Sequence, residues 1–168
     1  MGLKGMKAVS NTGPILHLLE IDLTKALKIF KSIYIPNEVY EELSKKQLKD
    51  KLKKIKKIKV LKLNSKFKDT SKLFCEQNFI DLGEAEAISL ALQEKIKLFL
   101  TDDLEARNIA KEYNLEAHGT IGILLRAFKE KVIDKKTAIK GVRELYEKSF
   151  LFITKDLVDY IINEINKS

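Results

Sequence analysis

Two adjacent carboxylates, Asp102 and Asp103, close the apolar run Leu98-Phe99-Leu100 and stand just before a helix-like pattern. Other acids occupy comparable places. Glu42 lies one turn into the helical pattern after Pro36, while Glu84 and Glu86 open the pattern that leads into Leu98. Asn11 directly follows the first apolar run. Clustered acids repel one another and stay ionised only when a cation sits among them. Oxygen donors without histidine or cysteine suit Mg²⁺ or Mn²⁺ rather than zinc. The two histidines add little to this set: His17 falls inside the first helical pattern, and His118 ends a strand, where a general base could stand.

Each acid also has a structural reading. Asp81 followed by Glu84 has the spacing of a capping box, and so has Asp102 followed by Glu105. Acids in a first turn suit the positive end of the helix dipole. Glu84 and Glu86 cannot point the same way, because two helical residues separate them by roughly 200°. Glu84 shares a face with Ile88, Ala91 and Leu92, the apolar stripe. A carboxylate on that side needs a partner, since burying an unpaired charge is costly. Glu84 is therefore the expected site residue and Glu86 the more solvated one.

Positioning these groups requires a sheet. "KAVS" (7–10), "SIYIP" (32–36), "IKVLKL" (58–63), "KLFLT" (97–101) and "LEAH" (115–118) read as strands. Helical patterns lie between and after them, among them "TGPILHLLEI", with Thr12 as the expected N-cap and Pro14 in the first turn. "LTKALKIF", "NEVYEELSKK" and "DLGEAEAISLALQEK" follow, and three further patterns fill residues 120–168. Alternating strands and helices imply a parallel sheet covered on both faces. Ligands of such sheets bind outside the carboxyl ends of the strands, where Asn11, Asp102 and Asp103 stand.

The 168 residues fit one domain, and an apolar fraction of 45% excludes disorder. No apolar run is long enough to span a bilayer, and residues 1–7 lack a signal-like apolar segment, so a cytoplasmic setting is expected. Cys75 is the only cysteine, which excludes an internal disulfide and a thiolate zinc cluster. The net charge of +8 favours a polyanionic partner. Lysines crowd "KKQLKDKLKKIKKIKV" (45–60), where Leu48, Leu52 and Ile55 mark one narrow apolar stripe on a basic helix. This segment, about 45–59, reads as an arm that is either a solvated face or a phosphate-attracting surface.

Four stretches in order, "VSNTGPILHL", "YIPNEVYEEL", "DLGEAEAISLALQEKIKLFLTDDLEARNIA" and "HGTIGILLRA", resemble the PIN-domain family. The likeness is to its prokaryotic, largely archaeal branch related to VapC toxins. The resemblance implies a three-layer α/β/α sandwich with a central parallel sheet and a helical C-terminal part. It implies metal-dependent endonucleolytic cleavage of RNA at a pocket of acids. Matched residue by residue, Glu42, Glu84 and Asp103 take the positions of the family's acids, with Asp102 beside them. Thr12 and Thr101 match small polar positions that line the pocket. Asn11 falls where the family usually has an aspartate: a carbonyl oxygen remains for a metal, but a full charge is gone.

The reading that follows is a Mg²⁺- or Mn²⁺-dependent ribonuclease whose ion is held by Glu42, Glu84 and Asp103, helped by Asn11 or Asp102. Single-stranded or looped RNA would be drawn in by the arm, through Lys53, Lys54, Lys56 and Lys57. Arg107 would touch a phosphate or pair with Glu105 or Glu84. As a toxin-like protein the chain is expected to pair with a small antitoxin, and self-association through helices, as a homo-oligomer, is a further expectation. The rival reading is a catalytically silent PIN-like domain that binds RNA or protein, and Asn11 is the feature that favours it. Toprim-like and receiver-like folds fit less well, since the paired aspartates are adjacent and stand late in the chain.

Overall fold

Five short apolar runs form the strands β1 (Met6–Ser10), β2 (Phe30–Ile35), β3 (Ile58–Val60), β4 (Leu98–Leu100) and β5 (Glu116–His118). The computed structural model describes residues 5–168. All pairings are parallel, in the order β3-β2-β1-β4-β5. Between the strands lie α1 (Thr12–Glu20), a 3-10 helix (Thr24–Ile29), α2 (Asn37–Lys45) and α3 (Lys49–Lys53). Then come α4 (Ser65–Asn78), α5 (Leu82–Glu94) and α6 (Leu104–Glu112). The chain ends in α7 (Thr120–Lys129), α8 (Lys135–Lys148) and α9 (Lys155–Asn166).

Alternation along the strands divides the core in two. Val9 and Phe99 join Val39, Leu43, Ile88 and Ile109 on one face. Ala8, Leu98 and Leu100 join Ile123, Val142 and Ile161 on the other. The helical C-terminal part thus covers one sheet face, while α2 to α6 cover the opposite one, giving the three layers expected.

The winding determines where a ligand can sit. From β1 the chain moves outward through β2 and β3, then returns to the other side of β1 to lay down β4 and β5. The gap between the carboxyl ends of β1 and β4 is therefore the point where strand order reverses, the usual ligand crevice of open α/β sheets.

Several expectations need correction. The third strand ends at Val60 rather than residue 63. "LTKALKIF" winds as a 3-10 helix and not an α-helix. The lysine-rich segment is no extended basic helix: α3 has five residues, and Leu48, Leu52 and Ile55 bury against the core, so the segment is built into the layer. Helix α4 has no counterpart among the expected elements. Its only buried side chains are Ser71 and Phe74, too few to write a helical stripe into the sequence.

Candidate active site

Asn11 and Thr101 leave β1 and β4 side by side, because Ser10 pairs with Leu100 and the Asn11 N–H donates to the Leu100 carbonyl at 3.0 Å. The buried Asn11 amide donates from Nδ2 to Thr101 Oγ1 at 2.7 Å and accepts the Gly13 N–H at 3.2 Å. Asn11, not Thr12, is thus the N-cap of α1. Thr12 is left free to donate its hydroxyl to the Glu42 carboxylate, which reaches over from α2. Glu42 can lie there because α5 offers Gly83: a Cβ at that position would collide with the carboxylate.

Helix α5 begins with the expected capping box. Asp81 accepts the Glu84 N–H at 2.9 Å, and Glu84 accepts the Asp81 N–H at 3.3 Å. The paired aspartates divide their work. Asp103 caps α6, accepting the Ala106 N–H at 2.7 Å, so the expected Asp102–Glu105 box does not form. Asp102 turns the other way and accepts both the N–H and the hydroxyl of Thr120, at 2.8 and 2.5 Å. It braces the first turn of α7.

Asn11, Thr12, Gly13, His17, Glu42, Asp81, Glu84, Asp102 and Asp103 line one cavity of about 190 Å³ at the strand-order reversal. Five carboxylates from three separate segments meet there. Burial pushes Glu84 up to about 7, with the charges of Asp81, Asp103 and Glu42 adding to it. Burial also raises Glu42, against the lowering effect of the Thr12 hydroxyl. Both shifts run in the direction that burial and neighbouring carboxylates impose, and only Lys46, acting on Glu42, opposes them with positive charge.

The remaining expected residues fall elsewhere. Thr101 is fully buried beneath the cavity, where it positions Asn11 and accepts the Asp103 N–H at 3.1 Å. Glu86 does not line the cavity and lies by Glu38 and Lys68. Arg107 makes no ion pair with Glu105 or Glu84; its Nη2 donates to the Thr101 carbonyl at 3.3 Å. Lys54, Lys56 and Lys57 line a cleft with Lys25 and Lys28 that opens before the start of β2 and β3, at the opposite rim of the sheet. Lys57 Nζ is tied there, donating to the Lys28 and Phe30 carbonyls at 3.1 and 2.5 Å. Lys53 flanks a hollow with Tyr40 and Val60.

Sequence reasoning assigns Asp81 only to the cap and omits His17 and Gly13 from the site. Asp81 carries a signal, since a cap beside Glu84 must share its surroundings. His17 carries none, because a lone histidine in a helix names no face; here it lines the cavity and meets Glu20 at 2.7 Å.

A family model described as a PIN domain matches residues 7–167, nearly the whole chain. The chain belongs to the PIN-domain family. Neither a curated protein nor a solved structure gives a significant match. PIN domains have a nuclease-like fold and generally use divalent metal ions. Among the described residues of this PIN domain, no three His, Cys, Asp or Glu side chains stand as a ready-made metal cluster. The reason is local: Glu42, Glu84, Asp102 and Asp103 are each turned onto a hydroxyl or a backbone N–H. The donor set itself is all oxygen and rich in charge, which suits a hard divalent cation. Among the described residues no helix is long and apolar enough to cross a membrane.

Proposed function

We propose that the protein is a metal-dependent endoribonuclease. The observation that carries this reading is the gathering of five carboxylates around one small cavity at the strand-order reversal, with Glu84 pushed up to about 7 by burial and by its acidic neighbours. Glu42, Glu84 and Asp103 would hold Mg²⁺ or Mn²⁺, with Asn11, Asp102 and Asp81 close by. Such an ion, when bound, supplies the charge that lowers the pKa of water and polarises a phosphate oxygen.

The chain's own residues supply placement. Thr12 fixes the Glu42 carboxylate, the Asp81 N–H donates to the Glu84 carboxylate in the capping box, and Thr101 holds Asn11 and Asp103 in register. A cavity of about 190 Å³ has room for a phosphate group beside the carboxylates. A toxin-like role with an antitoxin partner belongs to the same reading.

The test is cleavage of RNA by the purified protein in Mn²⁺. Asp103→Asn keeps the helix cap but removes the charge, and it should lower the rate by on the order of a hundredfold or more. Equal cleavage by this variant would refute the assignment. Asn11 favours a second reading, a silent RNA- or protein-binding PIN domain, because its amide is already used on Gly13 and Thr101. Calorimetry separates the two: the silent domain shows no Mn²⁺ uptake that depends on Glu42, Glu84 and Asp103. In that case, cleavage gained only by Asn11→Asp supports the second reading.

A further inference from the structure

Phe150 and Phe152 are each 89% exposed, an unusual state for large apolar side chains two residues apart. Their presentation is enforced by the chain between α8 and α9. Exposure alternates along residues 150–153, with Leu151 and Ile153 packed into the core and the two phenylalanines turned outward. With every second side chain anchored against the core, Phe150 and Phe152 are both left facing solvent.

Two connections join this strip to the acidic cavity. Phe152, Leu151 and Ile153 line a cleft of about 340 Å³ together with Asp102, which also lines the cavity. The Phe150 N–H donates to Glu20 Oε1 at 3.3 Å, the same oxygen that meets His17 of the cavity wall. The cleft also contains Arg107, an exposed cation without an ion pair among the described residues. Gly122 also lines it and faces open space, since a Cβ there would meet nothing within 4 Å.

We propose that the outward face of residues 150–152, with the cleft beside it, is a stacking platform for single-stranded RNA that leads into the acidic cavity. Bases would stack on Phe150 and Phe152, and Arg107 would take the backbone phosphate next to the cavity mouth. Sequence-tolerant binding of single strands requires this combination of aromatic faces with a cation on the backbone track. A purely apolar partner surface would leave the exposed Arg107 guanidinium beside the strip unmatched. The direction of the strand rests on the nuclease reading; binding to the platform does not.

The experiment measures binding of a short fluorescein-labelled oligoadenylate in EDTA, so that cleavage plays no part. Phe150→Ala with Phe152→Ala should weaken binding by about tenfold or more. Gly122→Glu, which fits the open space and sets a negative charge near Arg107, should weaken it too. The chain has no tryptophan, so Phe152→Trp installs a single reporter on the platform. This variant should retain affinity, and its indole emission should fall as an unlabelled oligoadenylate binds. Thermal melts of these surface variants should match the parent. Unchanged affinity in the double alanine variant overturns the platform, and so does indole emission from the Phe152→Trp variant that is indifferent to RNA. Equal affinity for the same sequence as a duplex also overturns it. So does an effect of the alanines confined to sedimentation, which assigns the strip to a second copy of the chain. Cleavage in Mn²⁺ is scored separately: Phe-dependent binding without cleavage removes the nuclease reading alone, and cleavage with Phe-independent binding removes the platform alone.

Discussion

Gly83 and the Glu42 carboxylate share one space, so a single methyl group tests whether position matters there. Gly83→Ala improves helix propensity by about 1 kcal/mol, and the group it displaces is the flexible end of Glu42. The expected outcome is a thermal midpoint close to the parent's with a marked loss of Mn²⁺-dependent cleavage, read by melting and turnover side by side. Glu84 makes a second prediction at this scale. Its carboxyl is raised from 4.5 to about 7 in the folded chain, so the folded state holds this proton more tightly than the unfolded one. The stability it contributes is complete below pH 4.5 and is lost as pH rises through about 7. In EDTA, Glu84→Gln should therefore be more stable than the parent at pH 8, by about 1–2 kcal/mol after allowing for solvent screening, and show no such gain at pH 4.5. Mn²⁺ should narrow the gap at pH 8. A gain of equal size at both pH values would refute this account.

Helix α5 presents Glu84 from a scaffold that leans on α4, where Phe74 is 3% exposed and meets Tyr113 edge to face at 5.2 Å. Phe74→Ala should cost about 3 kcal/mol, measured by urea unfolding. A cost well under about 1 kcal/mol would mean that α4 does not support the layer. The same helix shows where the sequence becomes hard to read. The strands around Val9, Ile33 and Phe99 are legible because burial on both faces leaves uninterrupted apolar runs. The start of α5 is legible because a capping box has fixed spacing. Helix α4 is not, since it buries one aromatic and one serine along fourteen residues. Caps are half legible: Asp102 and Asp103 offer the same chemistry one residue apart. Only the partner across space, Thr120 for the first and Ala106 for the second, decides which one caps α6. The site acids are found through strand ends and family order, whereas His17 depends on how α1 is rotated, which no spacing in the chain specifies.

Across the whole molecule, the acids and the lysines part company. Five carboxylates line the cavity at the carboxyl rim of the sheet, and five lysines line a cleft at the amino rim. Lys54→Ala with Lys56→Ala should leave the turnover of a short RNA unchanged, because neither reaches the cavity. It should slow the capture of a long RNA at low salt, where exposed charges act furthest. A fall in turnover on the short substrate would show that the amino rim takes part in the chemistry. The separation has an orienting effect as well. Strands of this length hold the two rims apart by roughly 10–20 Å, so the pair of charge groups forms a permanent dipole along the strand axis. A long polyanion turns the molecule so that its lysine end leads, and the end bearing the carboxylates faces away. On the nuclease reading proposed above, a strand gripped from behind would have to bend around the flank to reach the other end, which would favour flexible tails and hairpin loops over stiff duplex.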